Sequence, residues 1–288
     1  MKPYLEDYAV INPDSEREVA EILADDPEVI PLAGGTDLFV SLKNGVLPPS
    51  AFLNMKSCPD FEKEPELTDS ELILEPLTTI SDVRYDEDAN RFRLLYEACK
   101  NLSVISIQNL ATWAGNVANA SPCANGAAAL MAYDATLELA GVEGTREVKL
   151  TQFYRGYKEL KMEKEEYIRR IKVPRPEPGW KEYYRDVGPR EYQAISKTLL
   201  AGRIQLGRGE EVNDVRLVAG SVYPHTLKLR QTEDYLRGRE LTEETIDAAC
   251  EKLQEEIQPV DDVRSNRQYR RRVTENMLRE FLQESRPL

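Results

Sequence analysis

Two short stretches of this chain carry residue types that can hold an anion without any Lys or Arg. The first is Ala33-Gly34-Gly35-Thr36-Asp37, and the second runs from Thr112 through Ala114, Gly115 and Asn116 to Asn119 and Ser121. Small residues let backbone come close to a ligand, and N–H groups gathered in such turns point at negative charge. Each charge-assisted N–H contact contributes roughly 1.5–3 kcal/mol, so two such loops could clamp one pyrophosphate. Two tight turns with glycine at positive φ would leave the same letters. The sequence has no G-x-G-x-x-G after a strand and no G-x-x-x-x-G-K-[ST], so the Rossmann and P-loop readings lack their basis. The four cysteines, Cys58, Cys99, Cys123 and Cys250, show no CxxC spacing, which argues against a disulfide framework or an iron–sulfur site within this chain. The single histidine, His225, follows Pro224 and reads as a surface turn residue, since one imidazole cannot assemble a zinc or iron site.

The elements around the two loops can be read from periodicity. Residues 14–24 place an N-cap candidate and acidic residues ahead of Val19, Ile22 and Leu23 at helical spacing, which predicts a short helix. Residues 29–32 predict a buried strand delivered straight into the glycine turn, and residues 38–42 restart as a helix. Residues 51–55 and 71–75 predict strands, and residues 91–100 a helix. After the second loop, residues 126–133 predict an alanine-rich helix packed tightly on its neighbours, with a strand at 136–140. A strand at 165–173 runs into Pro174-Arg175-Pro176-Glu177-Pro178-Gly179, the best linker in the chain and the expected domain boundary. Beyond it, residues 180–186, 194–206 and 212–222 predict a three-stranded antiparallel meander, followed by helices at 242–257 and 266–283.

Composition bounds the function. With 51 Asp+Glu against 38 Lys+Arg, the formal charge is −13, which disfavours duplex nucleic acid and anionic membrane surfaces as partners. A hydrophobic fraction of 41% and a length of 288 residues fit a soluble globular protein of roughly two domains at ~150 residues each. The N-terminal residues lack the pattern of a secretory signal, and no window approaches the ~18 apolar residues of a membrane span, so a cytoplasmic location is expected. Arg264, Arg267, Arg270, Arg271 and Arg272 form a basic run, expected to pair in part with Asp261, Asp262 and Glu275 and otherwise to line a subunit contact.

Taken in order, several segments resemble the FAD-binding (medium) subunit of the molybdenum hydroxylases, the family of xanthine, nicotinate and carbon monoxide dehydrogenases. They are LAGGTDL, ATWAGNVANASP with its alanine-rich sequel, FYRGYKELKMEKEEYIRRIKVP, a basic-aromatic strand into REYQAIS, DVRLVAGSVYPHTLKL and DDVRSNRQYRRRVTENMLREFL. The resemblance implies an α+β protein. A PCMH-type FAD-binding fold would occupy residues 1–175, in subdomains of about 1–57 and 58–175, and residues 179–288 would form a C-terminal flavoprotein domain with a three-stranded antiparallel sheet and helices.

It further implies that Leu32, Ala33, Gly34, Gly35, Thr36 and Asp37 wrap the FAD pyrophosphate, with Thr112, Ala114, Gly115, Asn116, Asn119 and Ser121 as the second loop. Asn125 stands where the family often has an acid reaching the ribose or adenine end, and Gln108 where it often has arginine, removing one charge near the flavin. Arg185 would lie beside the flavin ring, while Tyr183, Tyr184 and Tyr192 would serve packing. No catalytic acid, base or metal ligand is implied in this chain. The partners implied are a molybdopterin-binding large subunit and a small subunit with two 2Fe-2S clusters, in a dimer of heterotrimers. Electrons would leave through this chain's FAD to NAD+ or another acceptor. A stand-alone flavin oxidoreductase of the same fold, or a scaffold subunit that has lost flavin, are the alternatives.

Overall fold

The computed structural model describes residues 8–46, 50–190 and 194–286. Ala9–Ile11 (β1), Ile30–Leu32 (β2) and Ala51–Asn54 (β3) make a small parallel sheet in the order β1-β3-β2. Parallel neighbours need connections that cross back over the sheet, and Glu16–Asp25 (α1) and Leu38–Lys43 (α2) lie in those connections. The first turn of α1 is capped by Ser15 Oγ, which accepts from the Glu18 N–H at 3.2 Å. Its Val19 and Leu23 are fully buried with Val29, Leu53 and Met55.

The second unit is a five-stranded antiparallel sheet in the order β4-β5-β10-β6-β7, built from Glu66–Leu67 (β4), Glu71–Leu74 (β5), Thr136–Gly141 (β6), Gly144–Lys149 (β7) and Tyr167–Pro174 (β10). Tyr154–Gly156 (β8) and Glu159–Leu160 (β9) form a separate hairpin. The helices between the strands are Ile80–Tyr85 (α3), Arg93–Asn101 (α4), Ile105–Gln108 (α5), Trp113–Ala118 (α6) and Asn125–Ala132 (α7). Every residue of α7 is buried. A helix apolar on all sides must lie inside, and its alanines let neighbours approach from every direction. It packs on α4 and α6 and on three strands of the third unit.

That third unit is an antiparallel sheet of Trp180–Val187 (β11), Thr198–Leu206 (β12), Val212–Gly220 (β13) and Leu227–Lys228 (β14), followed by Arg230–Leu236 (α8), Glu243–Glu256 (α9) and Arg267–Ser285 (α10). The expected three-stranded meander is present, extended by the two-residue strand β14. Its second strand begins at Thr198 rather than at residue 194, because Ser196 is occupied with contacts outside the ladder. Both faces of the sheet are covered, which explains why β12 reads as a nearly continuous apolar run. Leu200, Ile204 and Leu217 pack toward α9 and α10, whereas Leu199, Ala201 and Val218 belong to the same core as α7 and β10.

Charged groups fasten this join. The Arg203 guanidinium lies 4.4 Å from the Tyr133 ring centre and 4.6 Å from that of Trp180. It pairs with Glu182 at 2.9 Å, and Glu182 also accepts from the Tyr133 hydroxyl at 2.9 Å. Burial outweighs these partners and raises the Glu182 carboxyl above its ordinary range. Asp134, at a φ of 56°, pairs with Lys228 at 2.8 Å and Arg216 at 2.7 Å. Burial alone would raise its carboxyl, but Lys228, Arg216 and Lys149 together hold it below the usual range.

Candidate functional site

The turn after β2 and the segment entering α6 meet backbone to backbone. A Cβ on Gly34 would lie 1.9 Å from the Leu110 carbonyl oxygen and 3.1 Å from Ala111 Cα, so only glycine fits. Gly35 has a φ of +70°, which turns the chain into α2. The second loop is held from its other side. The Ile80 N–H donates to Ala111 O at 2.9 Å, and the Trp113 N–H donates to Thr78 O at 3.1 Å. Thr112 Oγ1 caps α6 by accepting from the Gly115 N–H at 3.0 Å. Asn116 Oδ1 accepts from the Ala127 N–H at 3.1 Å, in the first turn of α7. Between the loops themselves, Asn119 Nδ2 donates to Asp37 Oδ2 at 2.9 Å.

Both loops open onto one cleft of ≈ 1490 Å³. Ordinary small-molecule pockets hold ~300–1,000 Å³, so this one has room for an extended dinucleotide. Ala33, Gly34, Gly35, Thr36 and Asp37 line it together with Thr112, Ala114, Gly115, Asn116, Asn119, Ser121 and Asn125. Leu32 does not line it; its side chain lies under Gly35.

Arg185 is also outside the cleft, contrary to expectation. Successive side chains on a strand point to opposite faces. On β11 this sends Tyr183 and Arg185 toward α10, where both bind Glu280, and Asp186 toward α7. Tyr183 stacks on Phe281 with centroids 5.3 Å apart, and Tyr184 packs against the core around α7, both as packing groups; Tyr192 lies outside the described residues.

Gln108 also departs from expectation. It is buried, with Oε1 accepting from Arg84 at 2.7 Å and Nε2 donating to the Cys99 and Leu102 carbonyls at 2.9 and 2.8 Å. It organises the chain between α4 and α5 and leaves the cleft lining to Ser103, Val104 and Ile107. Asn125 does line the cleft, but its amide is committed to the third unit. Nδ2 donates to Asp186 Oδ2 at 2.7 Å, and Oδ1 accepts from Ser196 Oγ at 3.1 Å. Burial raises the Asp186 carboxyl above its ordinary range.

The far end of the cleft comes from the basic run, which is expected to pair with acids and line a subunit contact. Arg270 is buried, with its guanidinium donating to Ser221 O and Asp262 Oδ1, both at 2.7 Å. Arg264 lines the same end, paired with Asp262 at 3.4 Å. Arg267 pairs with Asp261 at 2.9 Å, and Arg271 donates to the Gln254 and Ile257 carbonyls. Glu275 takes Gln254 as its partner instead of an arginine. His225 is half-buried rather than a plain surface residue, stacked on Tyr154 with centroids 6.0 Å apart. Lys158, Lys164, Ile195 and Tyr223 also line it, without any signal in spacing or composition.

The site fits a flavin dinucleotide on its own geometry. Two loops of small side chains are fixed side by side along one large, mainly neutral cleft.

Comparison with known proteins gives the same direction. The chain is 27% identical over 278 residues to the glyceraldehyde dehydrogenase medium chain of Sulfolobus acidocaldarius, covering 94% of this chain and 95% of that protein. It is 24% identical over 289 residues to the nicotinate dehydrogenase FAD-subunit of Eubacterium barkeri, covering 96% and 95%. The fold matches carbon monoxide dehydrogenase from Hydrogenophaga pseudoflava with a TM-score of 0.90 at 23% identity, covering 97% of this chain and 96% of that one. Residues 182–285 match the carbon monoxide dehydrogenase flavoprotein C-terminal domain. Residues 6–176 match the FAD binding domain in molybdopterin dehydrogenase, and the chain belongs to that family as an FAD subunit of the molybdenum hydroxylases.

Proposed function

We propose that this chain binds one FAD across the two loops and serves as the electron exit of a molybdenum hydroxylase. It would take electrons from 2Fe-2S clusters in a small partner subunit and pass them to NAD+ or another acceptor. A molybdopterin-binding large subunit would carry out the hydroxylation, and the assembly would be a dimer of heterotrimers. The observation that carries the reading is the joining of the Ala33–Asp37 and Thr112–Ser121 segments in one cleft.

FAD, when bound, supplies the redox chemistry, accepting electrons singly or in pairs. The chain's own task is to bind, orient and shield it. Backbone N–H groups of the Ala33–Asp37 turn would offset the pyrophosphate charge, with the small residues of the second loop closing on it from the other side. Thr112 and Asn116 hold the second loop in shape through their bonds to Gly115 and Ala127. Arg270 and Asp262 fix the wall contributed by the third unit. Arg185, bound to Glu280, stays outside the proposed flavin contacts.

The test is the visible spectrum of the chain purified alone and co-expressed with its partner subunits, with flavin, Mo and Fe quantified in each. One FAD per chain in both, with Mo and Fe only on co-purification, is the expected result. A chain that stays colourless after FAD is added overturns the reading and favours a scaffold. Flavin bound with turnover of a substrate by the isolated chain would favour a stand-alone flavin oxidoreductase.

A further inference from the structure

Asp37 is out of place in a cradle for a pyrophosphate. Among the residues of the two loops, Ala33 to Asp37 and Thr112 to Ser121, it alone carries a charge, and that charge has the same sign as the proposed ligand. Its carboxylate does not cap α2, which starts at the next residue: no hydrogen bond from Asp37's side chain to that helix is made. It instead accepts from Asn119 Nδ2 at 2.9 Å, across 82 positions of sequence. Asn119 sits at the end of α6, where its own N–H closes the helix on Gly115 O.

The two loops are therefore joined twice. The Gly34–Leu110 contact is backbone on backbone and sets how close they come. The Asp37–Asn119 bond is side chain on side chain and sets how they are turned relative to each other.

We infer that Asp37 is a positioning residue that holds the second loop in its binding geometry through Asn119, and that it makes no contact of its own with the cofactor. The inference rests on the proposed FAD site. What the brace needs from position 37 is an acceptor, and an amide oxygen supplies one as well as a carboxylate does. The negative charge is then a cost to binding, felt through solvent and screened by salt.

The experiment measures FAD affinity by fluorescence titration of the apo-chain for wild type, D37N, D37A, N119A, D37A/N119A, N119D and the exchange D37N/N119D, at low and high ionic strength. D37N keeps the acceptor and removes the charge. It is expected to bind FAD as tightly as wild type or a few-fold more tightly, with the gain shrinking as salt rises. D37A and N119A each lose the bond and should bind roughly tenfold more weakly, with the double alanine variant no worse than either. N119D sets two carboxylates against each other and should be weakest. The exchange variant restores a donor and an acceptor and should recover most of the loss. D37N binding as weakly as D37A would mean that the carboxylate itself meets the cofactor, and this would overturn the inference. Failure of the exchange to rescue N119D would also overturn it. Wild-type protein that binds no FAD would sink the functional reading on which all of this stands. D37N is isosteric and the bond is exposed, so circular dichroism is expected to show no change in fold.

Discussion

Replacing Gly34 by alanine tests how the cleft is made. The new Cβ would stand 1.9 Å from the Leu110 carbonyl oxygen. An ordinary contact needs ~3.5 Å, so one backbone must retreat by about 1.5 Å. Nothing flexible is available to give way: the obstructing atoms are main chain, and Ala111 is tied back to Ile80 at 2.9 Å. Forced overpacking of this kind costs roughly 1–3 kcal/mol, which for a chain of this size is a fall in Tm of roughly 3–10 °C. The larger effect should be on cofactor binding, since separating the loops moves every N–H in the proposed cradle at once. Gly34→Ala should purify with flavin content at a small fraction of wild type. Gly45→Ala is the control: it also removes a glycine, at a φ of +71°, but meets nothing within 4 Å and lies away from the cleft. It should lose about 1 kcal/mol of stability and keep its flavin. Flavin content and Tm are read together by absorbance and thermal denaturation. A Gly34→Ala variant with full flavin and an unchanged Tm would refute the claim that this contact builds the site.

Two further outcomes concern stability. Glu182 and Arg203 form a buried pair in which burial already raises the Glu182 carboxyl, so removing the guanidinium leaves an acid that tolerates burial, while removing the acid strands a cation. Glu182→Ala should therefore cost more than Arg203→Met, on the order of 3–5 kcal/mol in urea unfolding, and the reverse order would contradict this assignment. Glu233, buried beneath Leu217 and facing Lys228 and Arg237, has its carboxyl pushed up to about 7 mainly by burial. Between its ordinary value near 4.5 and about 7, the folded chain keeps a proton that the unfolded chain releases. This group's contribution is thus largest below pH 4.5 and is lost as pH rises through about 7. Glu233→Gln should flatten that part of a Tm-against-pH curve; an unchanged slope would place the titration elsewhere.

Much of the fold and both loops were legible in the sequence, for a physical reason. Glycine turns after an apolar run, Thr112 before a helix and an alanine-rich helix each report a local requirement that their own residues satisfy. What could not be read depends on partners distant in sequence. The identity of Leu110 says nothing of its carbonyl lying on Gly34, because that contact is made by backbone. Arg185 was expected at the cleft, but the alternation of β11 and the position of Glu280 on α10 decide its direction. Gln108 looked like a missing charge and is a buried amide whose carbonyl takes Arg84, while its N–H groups go to main-chain carbonyls. The basic run is plain in the sequence, but that Arg270 turns inward to Ser221 is a property of how α10 docks.

The core shared by α7, β12 and β13 has a consequence for handling the protein. A protease that cut the connection at residues 175–179 would break the chain between β10 and β11 without exposing either half. Leu199, Ala201 and Val218 would still be buried against α7, and Arg203 would still lie between Tyr133 and Trp180. The nicked molecule would show two bands under denaturing conditions and one species in native buffer, the two matched domains holding together through their shared core without the covalent link.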